Sequence, residues 1–389
     1  MNIALIADFY GQHNNGTSVT AARLVKNLRA KGHEVTVISP YECREEGYVQ
    51  LEKMHIPFFG EYIEGKNGIV FARVDEEILL KVIRDSDIVH VLMPFSAGSA
   101  AARLACESGV PLIISFHVQP ENITSHMFLM NSKLVNRFIY RVFWNHCYKY
   151  TRFIHCPSNF IAGELIHNGY YANLRVVSNG VIPIFHKKES CKPPEFQDKI
   201  CILFIGRFAD EKRHDLLVDA AAISKYADKI QLIFAGNGPR EDKIKKRSQK
   251  LSNEPLLKLM TEEELSLVIN YCDLYVHPSD VDIEAISCIE AFSCGLVPVI
   301  SDSRRSATKQ FALTPENEFA AGDPNSLAEK IDYWLDHPAE KEELSHRYIE
   351  FGKNYEINTC VDQMEQIYYE VIADHAREKT SQEVLNESN

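Results

Sequence analysis

Short apolar runs alternate with segments of helical period along almost the whole chain, and this alternation leaves few folds open. "NIALIAD" is one such run and "HEVTVISP" the next, with "SVTAARLVKNLRAKG" at helical spacing between them and ending at Gly32. Strand, helix, strand is the unit of a parallel sheet, because parallel neighbours need a crossover long enough to hold a helix. The pattern continues through "DIVHVL", "AARLACESG", "PLIISFH", "RFIHCPS", "IAGELIHNGY" and "RVVSNGV", and is then broken by the polar, Pro-containing "IFHKKESCKPPEFQDK". A second alternation starts at "KICILFIGR" and runs through "HDLLVDAAAIS", "QLIFAGNGP", "LYVHPS" and "LVPVIS". Two successive doubly wound α/β domains of the Rossmann type follow, and such sheets bind ligands at the carboxyl ends of their strands.

The expected boundaries are a first domain over 1–187, a linker over 188–198, a second domain over 199–356, and a last helix over 357–378 that returns to the first domain. Residues 379–389 are expected as a disordered tail. A length of 389 residues agrees with two cores. The net charge of -12 argues against a general nucleic-acid binder. That charge is uneven: residues 1–190 hold 19 basic and 17 acidic side chains, and 191–389 hold 23 and 37. The ten cysteines form no Cys-x-x-Cys pair, which argues against a zinc or redox motif and for reduced thiols in a cytosol. "MNIALIADF" is too short an apolar run for a signal peptide, and no segment reaches the ~20 apolar residues of a membrane span. A dehydrogenase is disfavoured, because Gly-x-Gly-x-x-Gly does not follow the first strand.

The stretch "SDVDIEAISCIEAFSCGLVPVI", residues 279–300, reads as a helix capped by Gly295 and then a buried strand. Asp280, Asp282, Glu284 and Glu290 sit in it among apolar and small residues, where a carboxylate is costly without partners. Upstream, "FIGRFADEKRHDLLVDA" puts Arg207 and Lys212 between a strand end and a helix start. Two cations and a helix N-terminus suit a diphosphate; read alone, the segment is more readily a solvated basic loop. "FAGNGP" is a glycine turn at another strand end.

In that order and spacing, "GRF…EK", "AGNGP" and "HPSD…IEAISCIEAFSCGLVPVI" resemble the retaining glycosyltransferases of family four, glycosyl transferases group one. That family has the GT-B fold of two Rossmann-like domains facing across a cleft. The amino half carries the resemblance more loosely, through "NNGTSVTAARLVKNLRAKGHEVTVIS", "SFH", "CPS" and "SNGV". The family's two glutamates with seven residues between them fall here on Asp282 and Glu290. The resemblance implies that Glu290 accepts hydrogen bonds from ribose hydroxyls and that Asp282 touches hydroxyls of the transferred sugar. Backbone N–H groups of Ile283, Glu284, Ala285 and Ile286, expected at the helix start, would meet the diphosphate beside Arg207 and Lys212. Asp282 is one methylene shorter than the usual glutamate, which changes the reach to the sugar or marks a degraded site. Glu284 is a weaker candidate for the same task, and Asp280 is a loop acid or helix cap.

In the amino half, Gly16 of "NNGT" allows close backbone approach to a sugar or phosphate, and the family has a glycine loop there. His117 of "SFHVQPENI" falls where the family has a histidine near the reacting centre; the alternative is a core or turn histidine. Glu121 is read as binding the acceptor hydroxyl, or else as a loop acid. Retention by front-face attack needs a stabilised leaving diphosphate rather than a strong base, so no metal and no cofactor are expected beyond the nucleotide sugar, taken as a UDP-hexose.

No acidic residue lies between Glu121 and Glu164. Lys133, Arg137 and Arg141 fall four apart on one helical face; Val135, Phe138, Ile139, Val142 and Phe143 fill another, with Trp144, Lys149 and Arg152 close behind. A basic, aromatic amphipathic helix reads as an interfacial membrane element, and equally as a core helix with a solvated edge. Family members that act on lipids carry such helices. The expectation is therefore a cytoplasmic glycosyltransferase, peripheral on the inner face of the cell membrane, that builds α-glycosides on a lipid or lipid-linked glycan. A soluble acceptor and a catalytically lapsed nucleotide-sugar-binding protein are the alternatives.

Overall fold

The computed structural model describes residues 1–11, 16–54, 70–124 and 129–387. Asn14 and Asn15 of the glycine loop lie outside the described residues. The chain divides into two units, one of residues 1–124, 129–179 and 360–389 and one centred on 180–359.

The first unit is built on a seven-stranded sheet. Its strands are β1 (Asn2–Ile6), β2 (Glu34–Ser39), β3 (Tyr48–Gln50), β4 (Ile88–Val91), β5 (Leu112–Ser115), β6 (Phe153–Cys156) and β7 (Asn173–Val176), in the order β3-β2-β1-β4-β5-β6-β7 and parallel throughout. β4, β5 and β6 are buried end to end, as parallel strands covered on both faces must be. Each fully buried Ile or Leu there contributes about 2 kcal/mol.

The second unit holds β8 (Ile200–Ile205), β9 (Ile230–Ala235), β10 (Leu256–Lys258), β11 (Leu274–His277), β13 (Pro298–Ser301) and β15 (Glu318–Phe319) in the order β10-β9-β8-β11-β13-β15. A separate parallel pair joins β12 (Val281–Asp282) to β14 (Arg305–Ser306). The order reverses between β8 and β11, so the crevice beyond their carboxyl ends is the topological switch point of this sheet.

The division falls at residues 179 and 180, ahead of the expected linker. Val181 explains it: its N–H donates to the Tyr355 carbonyl at 2.7 Å and its carbonyl accepts from Ile357 at 2.9 Å. The expected linker, 188–198, is likewise held in the second unit, where Lys192 pairs with Asp273 at 2.6 Å. The last helix, Ile357–Glu387, joins the first unit from Cys360 on. There Lys31 meets Asp362 and Glu365 at 2.6 and 2.7 Å, and Tyr368 is buried. Residues 379–387, expected as an unstructured tail, continue this helix, since no Gly or Pro interrupts "EKTSQEVLNE".

Candidate functional site

In the second unit Arg207 and Lys212 follow β8 and Asp282 follows β11, the two strands at the switch point. Gly206 and Arg207 follow β8 directly, and the half-buried Lys212 ends a one-turn 3-10 segment, Asp210–Lys212, before the helix His214–Ile223. The "AGNGP" turn supports the loop that carries Arg207. The Phe208 N–H donates to the Asn237 carbonyl at 2.8 Å, and a Cβ on Gly236 would overlap the carbonyl oxygen of Gly206. The glycines here therefore serve backbone packing.

Asp282 does not stand open at the strand end. Lys212 Nζ lies 2.7 and 2.8 Å from its two oxygens, and His277 Nε2 lies 2.7 Å from Oδ2. Burial alone would raise the Asp282 carboxyl, but Lys212 and then His277 outweigh it and hold it well below the usual carboxylate range. The site thus presents an ionised acid paired with the cation expected to meet phosphate. Asp280 is no helix cap: its carboxylate pairs with Arg213 at 3.2 Å, and its N–H donates to the Glu211 carbonyl.

The helix of the opening motif is shorter at its start than expected. It spans Ile286–Ser293, so Ile283, Glu284 and Ala285 precede it rather than forming its first turn. Ala285 sits in the left-handed region at φ 62°, a conformation that costs a residue with a Cβ about 1 kcal/mol or more and gathers at functional sites. Glu284 and Glu290 are both buried, and Gly295 ends the helix at φ 79° before the buried strand β13.

In the first unit His117 follows β5 and is buried, its ring centre 5.6 Å from that of His155 in an edge-on arrangement. The two rings and His90 line a cavity of about 20 Å³ with Thr20, Leu92 and Met364. His90 and His155 carry a hydrogen-bond series that sequence reasoning missed. His155 Nε2 lies 2.8 Å from the Val177 carbonyl, which only accepts, so that nitrogen bears the hydrogen. Its Nδ1 then accepts from Ser115 Oγ at 2.7 Å, Ser115 accepts from His90 Nε2 at 2.6 Å, and His90 Nδ1 accepts from the Tyr368 hydroxyl at 2.8 Å. Burial pushes His155 down to about 4, and burial followed by the nearby His155 pushes His117 down to about 3. These imidazoles are neutral. Asp8, just beyond β1, was missed as well: it is fully buried, and burial pushes its carboxyl up to about 7. Period-2 and period-3.6 patterns mark none of these groups, because each sits on or just beyond an element whose neighbours are apolar anyway.

Gly16 opens the helix Gly16–Ala30, and no atom would meet a Cβ there within 4 Å. Glu121 lies in the short helix Pro120–Thr124 and is buried. Its Oε1 accepts from Asn136 Nδ2 at 3.0 Å, while Asn136 Oδ1 accepts from Thr124 at 2.8 Å. Glu121 is thereby tied to the basic helix.

That helix spans Lys133–His146, and Lys149 and Arg152 fall beyond it. Its buried residues are Asn136, Tyr140 and Phe143; of the expected stripe, Phe143 is buried, Val135, Ile139 and Val142 are half-buried, and Phe138 is exposed. Leu134 and Phe138 instead face solvent at 84% and 66% exposure, beside the exposed Lys133, Arg137 and Arg141. Trp144 is half-buried, its ring 5.1 Å from Tyr170 and 6.5 Å from Tyr171, which is 87% exposed. Among the described residues no helix is long and apolar enough to cross a membrane, and no three His, Cys, Asp or Glu side chains gather to hold a metal ion.

Two family models match the chain in succession: Glycosyltransferase Family 4 over residues 14–183 and Glycosyl transferases group 1 over residues 186–355. An alpha-monoglucosyldiacylglycerol synthase of Streptococcus pneumoniae is 22% identical over 320 residues, 77% of this chain and 71% of that protein. The crystal structure of Anabaena Alr3699/HepE with UDP and glucose superposes with a TM-score of 0.74 at 15% identity, covering 95% of this chain and 100% of that one. The catalytic domain of a cholesterol-alpha-glucosyltransferase from Helicobacter pylori is 40% identical over 40% of this chain and 98% of that one, with a TM-score of 0.39.

Proposed function

The chain belongs to the family-four glycosyltransferases, of GT-B fold, and from that premise we propose that it transfers a hexose, with retention, from a nucleotide sugar such as a UDP-hexose to a membrane lipid or lipid-linked glycan. The observation that carries the lipid acceptor is the helix Lys133–His146: Leu134 and Phe138 project into solvent beside three exposed cations, the face an anionic bilayer receives. The diacylglycerol named for the Streptococcus pneumoniae relative agrees with it.

On this reading Arg207, Lys212 and the amides of Ile283–Ile286 receive the diphosphate, Glu290 the ribose hydroxyls and Asp282 the transferred sugar. Carboxylates accept from hydroxyls, while N–H donors and cations meet phosphate oxygens, so the donor is sorted by chemistry along one strand-end crevice. The acceptor oxygen bonds to the anomeric carbon as that carbon's bond to the diphosphate oxygen breaks. The acceptor's proton passes to the departing phosphate oxygen. Glu121 binds the acceptor hydroxyl, and His117 takes the part of the family's histidine.

The experiment that tests this is mass spectrometry of products after incubation with UDP-glucose, UDP-galactose or GDP-mannose and a panel of diacylglycerol, sphingolipid, sterol, polyprenyl-linked glycan and free sugars. A glycosylated lipid with an α linkage is expected. Product only from free sugars would move the acceptor to the soluble class, and no product from any pair would favour a lapsed enzyme.

Two further outcomes are expected. Turnover should survive EDTA, since Arg207, Lys212 and backbone donors supply the diphosphate's counter-charge; loss in EDTA with rescue by manganese would contradict the site. Replacing Lys133, Arg137 and Arg141 together by Gln should release the chain from anionic vesicles. Each cation contributes about 1 kcal/mol near such a surface, in a salt-dependent way. Donor affinity should be unchanged. Equal pelleting of wild type and triple variant at low salt would sink the membrane role.

A further inference from the structure

The donor-site acid Asp282 sits on a two-residue strand, and the turn after it carries the strained Ala285, so the backbone alone fixes its carboxylate weakly. β11 behind it is buried along its whole length and presents His277, which is 1% exposed and packs its ring 5.7 Å from that of Phe204. The partners of this imidazole dictate where its proton lies. An ionised carboxylate only accepts, so His277 Nε2, 2.7 Å from Asp282 Oδ2, carries the hydrogen. Nδ1 is then an acceptor, and the Tyr275 hydroxyl 2.8 Å away donates to it. Ser287 Oγ lies 3.1 Å from that hydroxyl. The series Tyr275, His277, Asp282 therefore runs in one direction and ends on the anion that holds Lys212. Burial pushes His277 below its ordinary value, which keeps the ring in the neutral form this direction requires.

We propose that His277 is a positioning residue of the donor site, set in one tautomer by Tyr275, whose Nε2–H fixes the Asp282 carboxylate and through it places Lys212 for the diphosphate. Of the carboxylate's lone pairs, Lys212 and His277 occupy three positions in this structure. When a diphosphate draws Lys212 toward itself, the His277 bond remains, and the shortened acid keeps its place while oxygen positions open toward the sugar. The inference rests on the reading of Lys212 and Asp282 as donor-site residues.

The test uses the full chain and the nucleotide sugar that gives product in the panel above. His277→Phe keeps the ring's bulk against Phe204 but removes the donor; His277→Gln places an amide N–H near the position of Nε2; Tyr275→Phe releases the tautomer. Turnover, donor KM and melting temperature are measured for each. The expected result is a fall of about 10- to 100-fold in kcat for His277→Phe with donor KM changed by less than about threefold. Recovery to within about threefold of wild type is expected for His277→Gln, with an intermediate rate for Tyr275→Phe. If His277→Phe does not fold, the contrast between His277→Gln and Tyr275→Phe carries the same expectation. Wild-type turnover by His277→Phe, with Lys212→Ala impaired, would overturn the positioning role and leave the donor site standing. Equal impairment of the Phe and Gln variants at unchanged melting temperature would overturn it too. Wild-type turnover by both His277→Phe and Lys212→Ala would remove the donor-site reading itself.

Discussion

Lys212→Ala should lower turnover by about 10²-fold or more and also weaken the fold. The rate effect comes from the leaving diphosphate: removing one charged donor from a developing anion costs a few kcal/mol at the transition state. The stability effect comes from Asp282, which loses the cation bound to both of its oxygens. Both side chains are less than one-fifth exposed, so the penalty is that of breaking a largely buried pair, about 3 kcal/mol. The two effects separate in the double variant Lys212→Met with Asp282→Asn, which leaves no unpaired charge. It should regain most of the lost stability and none of the lost rate. Initial rates of nucleoside diphosphate release and thermal melts read both quantities. A Lys212→Ala protein that turns over like wild type would remove Lys212 from the donor site, whatever its melting temperature.

The second large effect is acid destabilisation of the fold. His155 is held near 4 and His117 near 3 in the first unit, and His214 near 3 in the second, in each case with burial as the main cause; burial also holds His90 well below its ordinary value. The unfolded chain takes up protons on these groups near pH 6.5, and the folded chain does not. Stability is therefore fully present above about pH 6.5 and falls as the pH drops toward 4. His155 alone accounts for on the order of 3 kcal/mol over that span. Asp8 works the other way: raised to about 7, it binds its proton more tightly in the folded state and offsets part of the loss. The four histidines outweigh it, and a domain with ~5–15 kcal/mol of stability should unfold before pH 4. Urea titrations at pH 7.5, 6.0 and 5.0 should show a falling midpoint. His155→Gln, which keeps an N–H for the Val177 carbonyl but cannot titrate, should flatten the slope. A midpoint independent of pH over that range would contradict the neutral histidine series.

The helix Lys133–His146 shows how far sequence periodicity reaches. Four-residue spacing placed Lys133, Arg137 and Arg141 on one exposed face correctly, because charge keeps that face in water. It did not tell which apolar residues pack. Phe138 reads as core by hydrophobicity, yet Asn136 is the buried residue, since Glu121 and Thr124 on the preceding short helix supply its hydrogen bonds. A polar side chain turns inward when partners are waiting, and the sequence does not show where partners stand.

By itself the sequence determined two parallel sheets, their strand-end loops, and the set Arg207, Lys212, Asp282 and Glu290 in order along the second. Those features are local: a strand's apolar run, a crossover helix's period and the glycine of a turn are each written within a few consecutive residues. The tertiary structure alone decided that Lys212 and Asp282, 70 positions apart, form one ion pair with His277 behind it. It alone decided that Tyr368 of the last helix completes a hydrogen-bond series through His90 and His155. Such bonds depend on which strand ends lie side by side. In a sheet of order β10-β9-β8-β11-β13-β15, β8 and β11 become neighbours only after the chain has crossed over and back. The pairing of charges across that crevice is consequently a property of the packed sheet, and no stretch of consecutive residues contains it.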